Sequence, residues 1–273
     1  MNLKVLMIKK ALLVVGVSLL ILNTVGLFTS LSNKAILSEQ ETVFKNDVKA
    51  VSGEYPAETK IRENEERLDY LLRMNTLVNN YIAYYWEDAG KSTYNLQIPI
   101  TENYILWMAG YVFPEHYAKY EFANYWKAFD RGVGLCSQHA IILTGILNDN
   151  NIPAKIISLS GHVVTYADTG VDNWNIFDSN YGVFIPHTLE EAENNPKMVK
   201  DIYKNSIADY REVDEPISLE EMAAVYGTEG NQVYEDGIRG YVGFKKYYIE
   251  KGSYWAIWLF PLLLLLFHFR YPK

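Results

Sequence analysis

Two charge-free apolar runs, one near each end of the chain, constrain this sequence more than any other feature. Ala11 to Phe28 is 18 residues long and follows Lys9 and Lys10. As a helix it reaches roughly 27 Å, close to the hydrocarbon thickness of a bilayer. Its most apolar part, Ala11–Leu22, also has the length of a signal h-region, and Ser30-Leu31-Ser32 fits a small-x-small cleavage site. Residues 1–32 therefore read as an uncleaved anchor or a cleaved signal. Tyr254 to Phe269 is the second run and ends in Arg270 and Lys273. Its 16 residues give a helix of roughly 24 Å, short but tolerable with snorkelling flanks. Leu262–Leu266 is apolar on every face, whereas a helix docked on a soluble domain shows a polar side. Pro261 inside this run is better tolerated in a membrane helix than in a soluble one.

Charge separates the ends from the middle. Residues 1–32 carry Lys4, Lys9 and Lys10 and no acid, and residues 254–273 carry Arg270 and Lys273 and no acid. Residues 33–253 hold 20 Lys/Arg against 33 Asp/Glu, a net of −13. Basic flanks at both ends suit the cytoplasmic side, which places the acidic middle outside the cell membrane. The formal charge of −8 argues against a nucleic-acid partner and mildly favours cationic substrates. A single cysteine, Cys136, excludes an internal disulfide framework and any all-cysteine metal cluster.

Within the middle, residues 33–57 read as a linker and 58–253 as one domain with helical extensions. A helical period starts at Glu58 and runs through Leu68, Leu71, Leu72, Leu77, Val78, Tyr81, Ile82 and Tyr85. Pro99 and Thr101 open another helix, and the aromatic-rich stretch Tyr117 to Trp126 is expected to be helical. The aromatics Tyr81, Tyr84, Tyr85 and Trp86 sit at helical spacing, which favours core packing over a ligand groove. A glycine-bearing turn, Asp130 to Leu135, precedes an apolar helix that begins at Cys136 and stops at Asp149-Asn150-Asn151. Lys155–Leu159, His162–Ala167, Trp174–Asp178 and Val183–Ile185 then have the texture of strands. Thr188 and Ser218 begin capping boxes, residues 205–216 read as a loop, and 227–252 shows no clear period. Helices, then strands, then helices give an α+β class.

The chemistry gathers around Cys136. A thiol at a helix N-terminus feels the positive end of the macrodipole, which favours thiolate. Gly161-His162 begins one strand and Asp178 ends the next. A turn centred on Gly170 would place His162 opposite Asp178, Val164 opposite Ile176 and Tyr166 opposite Trp174, all facing the same way. Opposed Cβ atoms lie about 4.5–5.5 Å apart, which lets a carboxylate bond an imidazole nitrogen. A Cys, a His and an orienting acid are the parts of a nucleophilic acyl-transfer site. Two rival readings use the same residues. Cys136 and His139, three apart on one helix, could ligate zinc with His162 and Asp178. A buried structural cysteine in a silent binding or scaffolding domain of a cell-envelope assembly is the other. His116 and His187 flank prolines and aromatics and read as surface or structural residues.

Taken together, Gly134-Leu135-Cys136, the apolar helix after it, Ile152-Pro153-Ala154, Gly161-His162-Val163 and Trp174…Asp178 resemble the transglutaminase-like superfamily. The resemblance covers about 120–190, under a third of the chain. It implies a papain-like core with Cys136 as nucleophile, His162 as base and Asp178 as orienting acid. Where the family commonly has Gly before the Ile-Pro-Ala and Arg after it, this chain has Asn151 and Lys155. The oxyanion donor is expected to be the backbone N–H of Cys136, with Trp126 as the alternative. The expected activity is thiol-dependent peptidase, amidase or transamidase chemistry without cofactor or metal. Its substrate would be a peptide or other amide, an envelope protein or polymer among the candidates.

Overall fold

The computed structural model describes residues 3–32, 59–84, 91, 94–170, 173–206, 219–227 and 230–270. The expected linker 33–57, the ring positions Tyr85 and Trp86, residues 207–216 of the expected loop and the cap residue Ser218 lie outside the described residues. The elements in chain order are α1 (Leu3–Gly26), α2 (Arg67–Tyr81), β1 (Ala83–Tyr84), α3 (Tyr104–Val112), α4 (Pro114–Tyr117), α5 (Tyr125–Arg131), β2 (Val133–Gly134), α6 (Cys136–Asp149), β3 (Ala154–Ser158), β4 (Val163–Asp168), β5 (Trp174–Asp178) and β6 (Val183–Ile185). There follow α7 (Leu189–Asn194), α8 (Pro196–Ser206), α9 (Leu219–Gly227), β7 (Gln232–Tyr234), α10 (Gly237–Val242) and α11 (Phe244–Arg270).

The class is α+β with an antiparallel sheet in the order β6-β5-β4-β3-β7. One face packs on α6, whose residues Cys136 to Leu147 are all buried. Thr165 Oγ1 donates to Ala140 O at 3.1 Å across that contact. The other face packs Ile157, Val164, Ile176 and Ile185 against Val199 and Tyr203 of α8 and Met222 and Tyr226 of α9. Helix starts follow their caps. Asn103 accepts from the N–H groups of Ile105 and Leu106, Asn124 accepts from those of Trp126 and Lys127, and Thr188 forms its capping box with Glu191.

Four expectations change. The helix begun at Glu58 starts at Arg67, and the one placed at Pro99 starts at Tyr104, after the Asn103 cap. The stretch Tyr117 to Trp126 is not one helix, because its middle bonds to distant partners instead of its own turns. Tyr120 N–H donates to Leu96 O, Phe122 N–H to Gln138 Oε1, and the N–H groups of Ala123 and Asn124 to the Glu250 carboxylate. Residues 227–252 hold β7, α10 and the first turns of α11, so a strand contributed late in the chain edges the sheet beside β3.

α1 and α11 are long and apolar enough to cross a membrane. The most apolar window of α1 is 6% buried and that of α11 is 17%, unlike the core helix of a soluble protein. The two run antiparallel. Lys9 O lies 2.8 Å from His268 Nδ1, Gly16 lies against Pro261 and Leu265, and Asn23 Nδ2 donates to Ile257 O at 2.6 Å. Leu3 and Arg270 therefore lie at one end of the pair and the globular domain at the other. Pro261 lacks the N–H that would bond Ile257 O four residues earlier, so Asn23 Nδ2 and Tyr104 OH satisfy that carbonyl. α11 begins ten residues before the expected run and enters the domain as a continuous helix. There Glu250, 2% exposed, accepts from Tyr120 OH and from the Ala123 and Asn124 N–H groups at 2.7–2.8 Å.

Candidate functional site

Cys136 is the first residue of α6, preceded by Leu135, which supplies no side-chain cap. The helix start is held from three sides. Arg131, fully buried, donates to the carbonyls of Val133 and Tyr120 and to Gln138 Oε1. Gln138 closes that network by donating to Phe122 O at 2.9 Å. His139 has Nδ1 at 2.9 Å from Leu135 O and Nε2 at 3.1 Å from Ile82 O. Glycines are required beside it: Gly132 caps α5 at φ 72°, and a Cβ on Gly134 would lie 2.3 Å from Gln138 Cβ.

His162 closes the turn between β3 and β4, where Leu159 N–H donates to His162 O at 2.8 Å and Gly161 takes φ 88°. Asp178 ends β5 and is completely buried. The β4–β5 register differs from the expected one. Thr165 faces Phe177 and Tyr166 faces Ile176, so the pairing is centred on residue 171 and Asp178 is level with Val164 rather than His162. A one-residue shift of the turn moves the register by two, which preserves side-chain parity. His162 and Asp178 thus stay on one face, and Nε2 lies 2.8 Å from Asp178 Oδ2.

The third residue joins the pair. Burial alone disfavours the His162 imidazolium, but the Asp178 charge and hydrogen bond, then a hydrogen bond and charge interaction with Cys136, raise its pKa to about 10. Burial pushes the Asp178 carboxyl up, yet His162, Tyr203 OH and the Tyr181 N–H outweigh it and hold it below the usual carboxylate range. The structure therefore brings Cys136, His162 and Asp178 together. Nε2 of His162 is taken by Asp178.

Sequence reasoning missed the surroundings. Tyr203 OH donates to Asp178 Oδ2 at 2.5 Å and lies 2.9 Å from Tyr226 OH. Burial, then the Asp178 charge, raises the pKa of both phenols well above the usual value, so both remain protonated donors. Asp178 Oδ1 accepts from the N–H groups of Asn180 and Tyr181. Asn79 Nδ2 donates to the Ser179 and Asn180 carbonyls, and Asn75 Nδ2 donates to Val183 O, tying that loop to α2. Two asparagines four apart on an apolar helix face were the available signal for this contact. Tyr203 and Tyr226 carried none. Ser137 Oγ donates to Glu121 Oε1, and burial, then Glu121 and Cys136, raise the Tyr241 pKa.

Other expected residues fall elsewhere. The Trp126 ring is 41% exposed and packs on Tyr125 and Phe129 of its own helix. Both nitrogens of His139 face carbonyl oxygens, so it presents no lone pair to a metal shared with Cys136. Among the described residues no three His, Cys, Asp or Glu side chains form a metal-binding group. His116 lies exposed beside Glu115, and His187 Nδ1 lies 3.4 Å from Glu191. A cavity of about 650 Å³ between α5, α6, α10 and α11 does not include Cys136, His162 or Asp178 in its lining. No protein-family model, curated protein or solved structure matches the chain.

Proposed function

We propose that this chain is a membrane-anchored cysteine acyl-transfer enzyme with a transglutaminase-like, papain-like core, acting on amide bonds. The reading is carried by the His162 Nε2–Asp178 Oδ2 pair at 2.8 Å beside Cys136 at the start of α6. The raised basicity of His162 makes it the acceptor for the thiol proton. Cys136 Sγ then attacks the amide carbonyl, and the oxyanion forms at the first turn of α6, where the Cys136 N–H has no helical acceptor. His162 returns its proton to the leaving nitrogen as the C–N bond breaks, leaving a thioester on Cys136. Water, deprotonated by His162, releases an acid in a peptidase or amidase. An amine attacking in its place forms a new amide and makes the enzyme a transamidase. Asp178 fixes the imidazole tautomer throughout.

With α1 and α11 in the cell membrane, Lys4, Lys9, Lys10 and Arg270 belong at the cytoplasmic face and the acidic domain belongs outside. The substrate is then an extracytoplasmic peptide or amide, envelope proteins and polymers included.

The burial of Cys136 (9% exposed) and His162 (6%) favours a second reading, a silent binding or scaffolding domain of an envelope assembly. One experiment separates the two. A peptide-like electrophile is expected to label Cys136 in the folded protein, to stop labelling it after heat denaturation, and to label His162→Ala far more slowly. Labelling that appears only on unfolding, and is indifferent to His162, establishes the silent reading instead.

A further inference from the structure

At the domain end of the helix pair, a cavity of about 440 Å³ opens between the last turn of α1 and the middle of α11. Asn23, Glu102, Lys127, Asp130, Tyr254 and Trp258 contribute to its lining. A carbonyl can only accept, so the bond from Asn23 to Ile257 O determines which way round the carboxamide sits: Nδ2 faces the carbonyl and Oδ1 faces away. That Oδ1 is buried without a partner, on a residue 3% exposed. The remaining lining is rich in acceptors. The Glu102 carboxylate, its side chain 5% exposed, takes Lys127 Nζ at 3.0 Å and Tyr254 OH at 2.6 Å. Asp130 accepts from Ser30 Oγ and from the Leu31 N–H, both at 2.8 Å. Two carboxylates and a residue with an orphaned amide oxygen thus share this lining with one ammonium. Tyr254 and Trp258 are rings of the kind found at headgroup level.

We propose that this cavity binds a zwitterionic phosphoamine headgroup, its primary ammonium on Asn23 Oδ1 and Glu102 and its phosphate toward Lys127. A primary ammonium brings three N–H donors to a site with surplus acceptors, whereas a choline headgroup brings none. The proposal rests on the membrane placement of α1 and α11 and is independent of the chemistry at Cys136.

The test is native mass spectrometry of the full chain in detergent, with phosphatidylethanolamine, phosphatidylcholine and phosphatidylglycerol added in equal amounts. Retention of the ethanolamine lipid is expected to exceed that of the choline lipid by roughly tenfold, the scale of one charge-assisted hydrogen bond. Asn23→Leu and Glu102→Gln are each expected to remove most of that preference. If Asn23→Leu does not fold, the nearly isosteric Glu102→Gln decides alone. Soluble glycerophosphoethanolamine that displaces the lipid identifies the source as a free phosphoamine. Failure to displace it, with the lipid retained, identifies a membrane lipid. Equal retention of the ethanolamine and choline lipids overturns the proposal, and so does a preference that both variants preserve. Release of the wild-type chain from membranes at high pH overturns the membrane placement instead, which makes the two failures distinguishable.

Discussion

Asp178 receives four hydrogen bonds, from His162 and Tyr203 on Oδ2 and from the N–H groups of Asn180 and Tyr181 on Oδ1. This is why a completely buried carboxylate stays ionised. Tyr203→Phe removes this donor to Asp178 and, with it, the hydroxyl partner of the buried Tyr226 OH. It is expected to raise the Asp178 pKa and to cost about 1.5–3 kcal/mol, the range for a hydrogen bond to a charged group. Denaturant unfolding reads the second effect and a carboxyl NMR titration the first; a purely packing role for Tyr203 would leave the titration unmoved. The pair also sets a pH window. His162 titrates near 6.5 when unfolded and near 10 when folded, so its contribution is complete below pH 6.5 and is lost as pH rises toward 10. Asp178, lowered from 3.8, contributes fully above that value and loses its contribution as pH falls through its depressed folded pKa. The stability gap between wild type and Asp178→Asn should therefore be widest between about pH 4 and 6.5 and should narrow on both sides. A gap that widens steadily from pH 6.5 to 10 would contradict the ion pair.

Among the elements, α6 and the α1–α11 pair carry the most consequence. α6 is buried over its first twelve residues, so its start is positioned by packing on the sheet and by Arg131, Gln138 and His139 rather than by a cap. The two apolar helices are matched by a polar device. Pro261 strips the Ile257 carbonyl of its donor, and Asn23 restores one from the other helix. Asn23→Leu should weaken the pair by about 0.6 kcal/mol, the average for hydrogen bonds between membrane helices, and by no more than about 1.7. Pro261→Ala supplies an N–H within α11, so Asn23→Leu should cost less in that background. A double-mutant cycle on unfolding in mild detergent measures the difference, and strict additivity would show that Asn23 does not serve the proline.

At the scale of the whole molecule, one continuous helix links the C-terminal apolar segment to the domain. α11 seats Glu250 on the loop 120–124, and that loop bonds to residues following Cys136 through Glu121–Ser137 and Phe122–Gln138. The domain is therefore joined to the apolar part of α11 by unbroken helix rather than by a loop. The start of α1 and the end of α11 lie together at the far end of the helix pair, as the His268–Lys9 contact requires. A reporter active only outside the cytoplasm, fused near Asn205, should be active. A cytoplasmic readout at that position would invert the proposed topology.

Local periodicity made much of this legible in the sequence alone. The apolar ends, the α2 stripe, the helix from Cys136 to Asp149 and the strands 174–178 and 183–185 follow from patterns within a few residues. The meeting of His162 with Asp178 also survived a misplaced turn, because strand parity is unchanged when the register moves by two. Tertiary structure decided what depends on partners far apart in the chain. Tyr203 reaches Asp178 across 25 residues, Tyr120 reaches Glu250 across 130, and Asn23 reaches Ile257 across 234. The same cause broke the helix expected over Tyr117 to Trp126 and placed β7 beside β3. Buried polar groups must find partners somewhere, and a segment whose N–H groups are claimed by a distant carboxylate does not keep the helix its own composition favours.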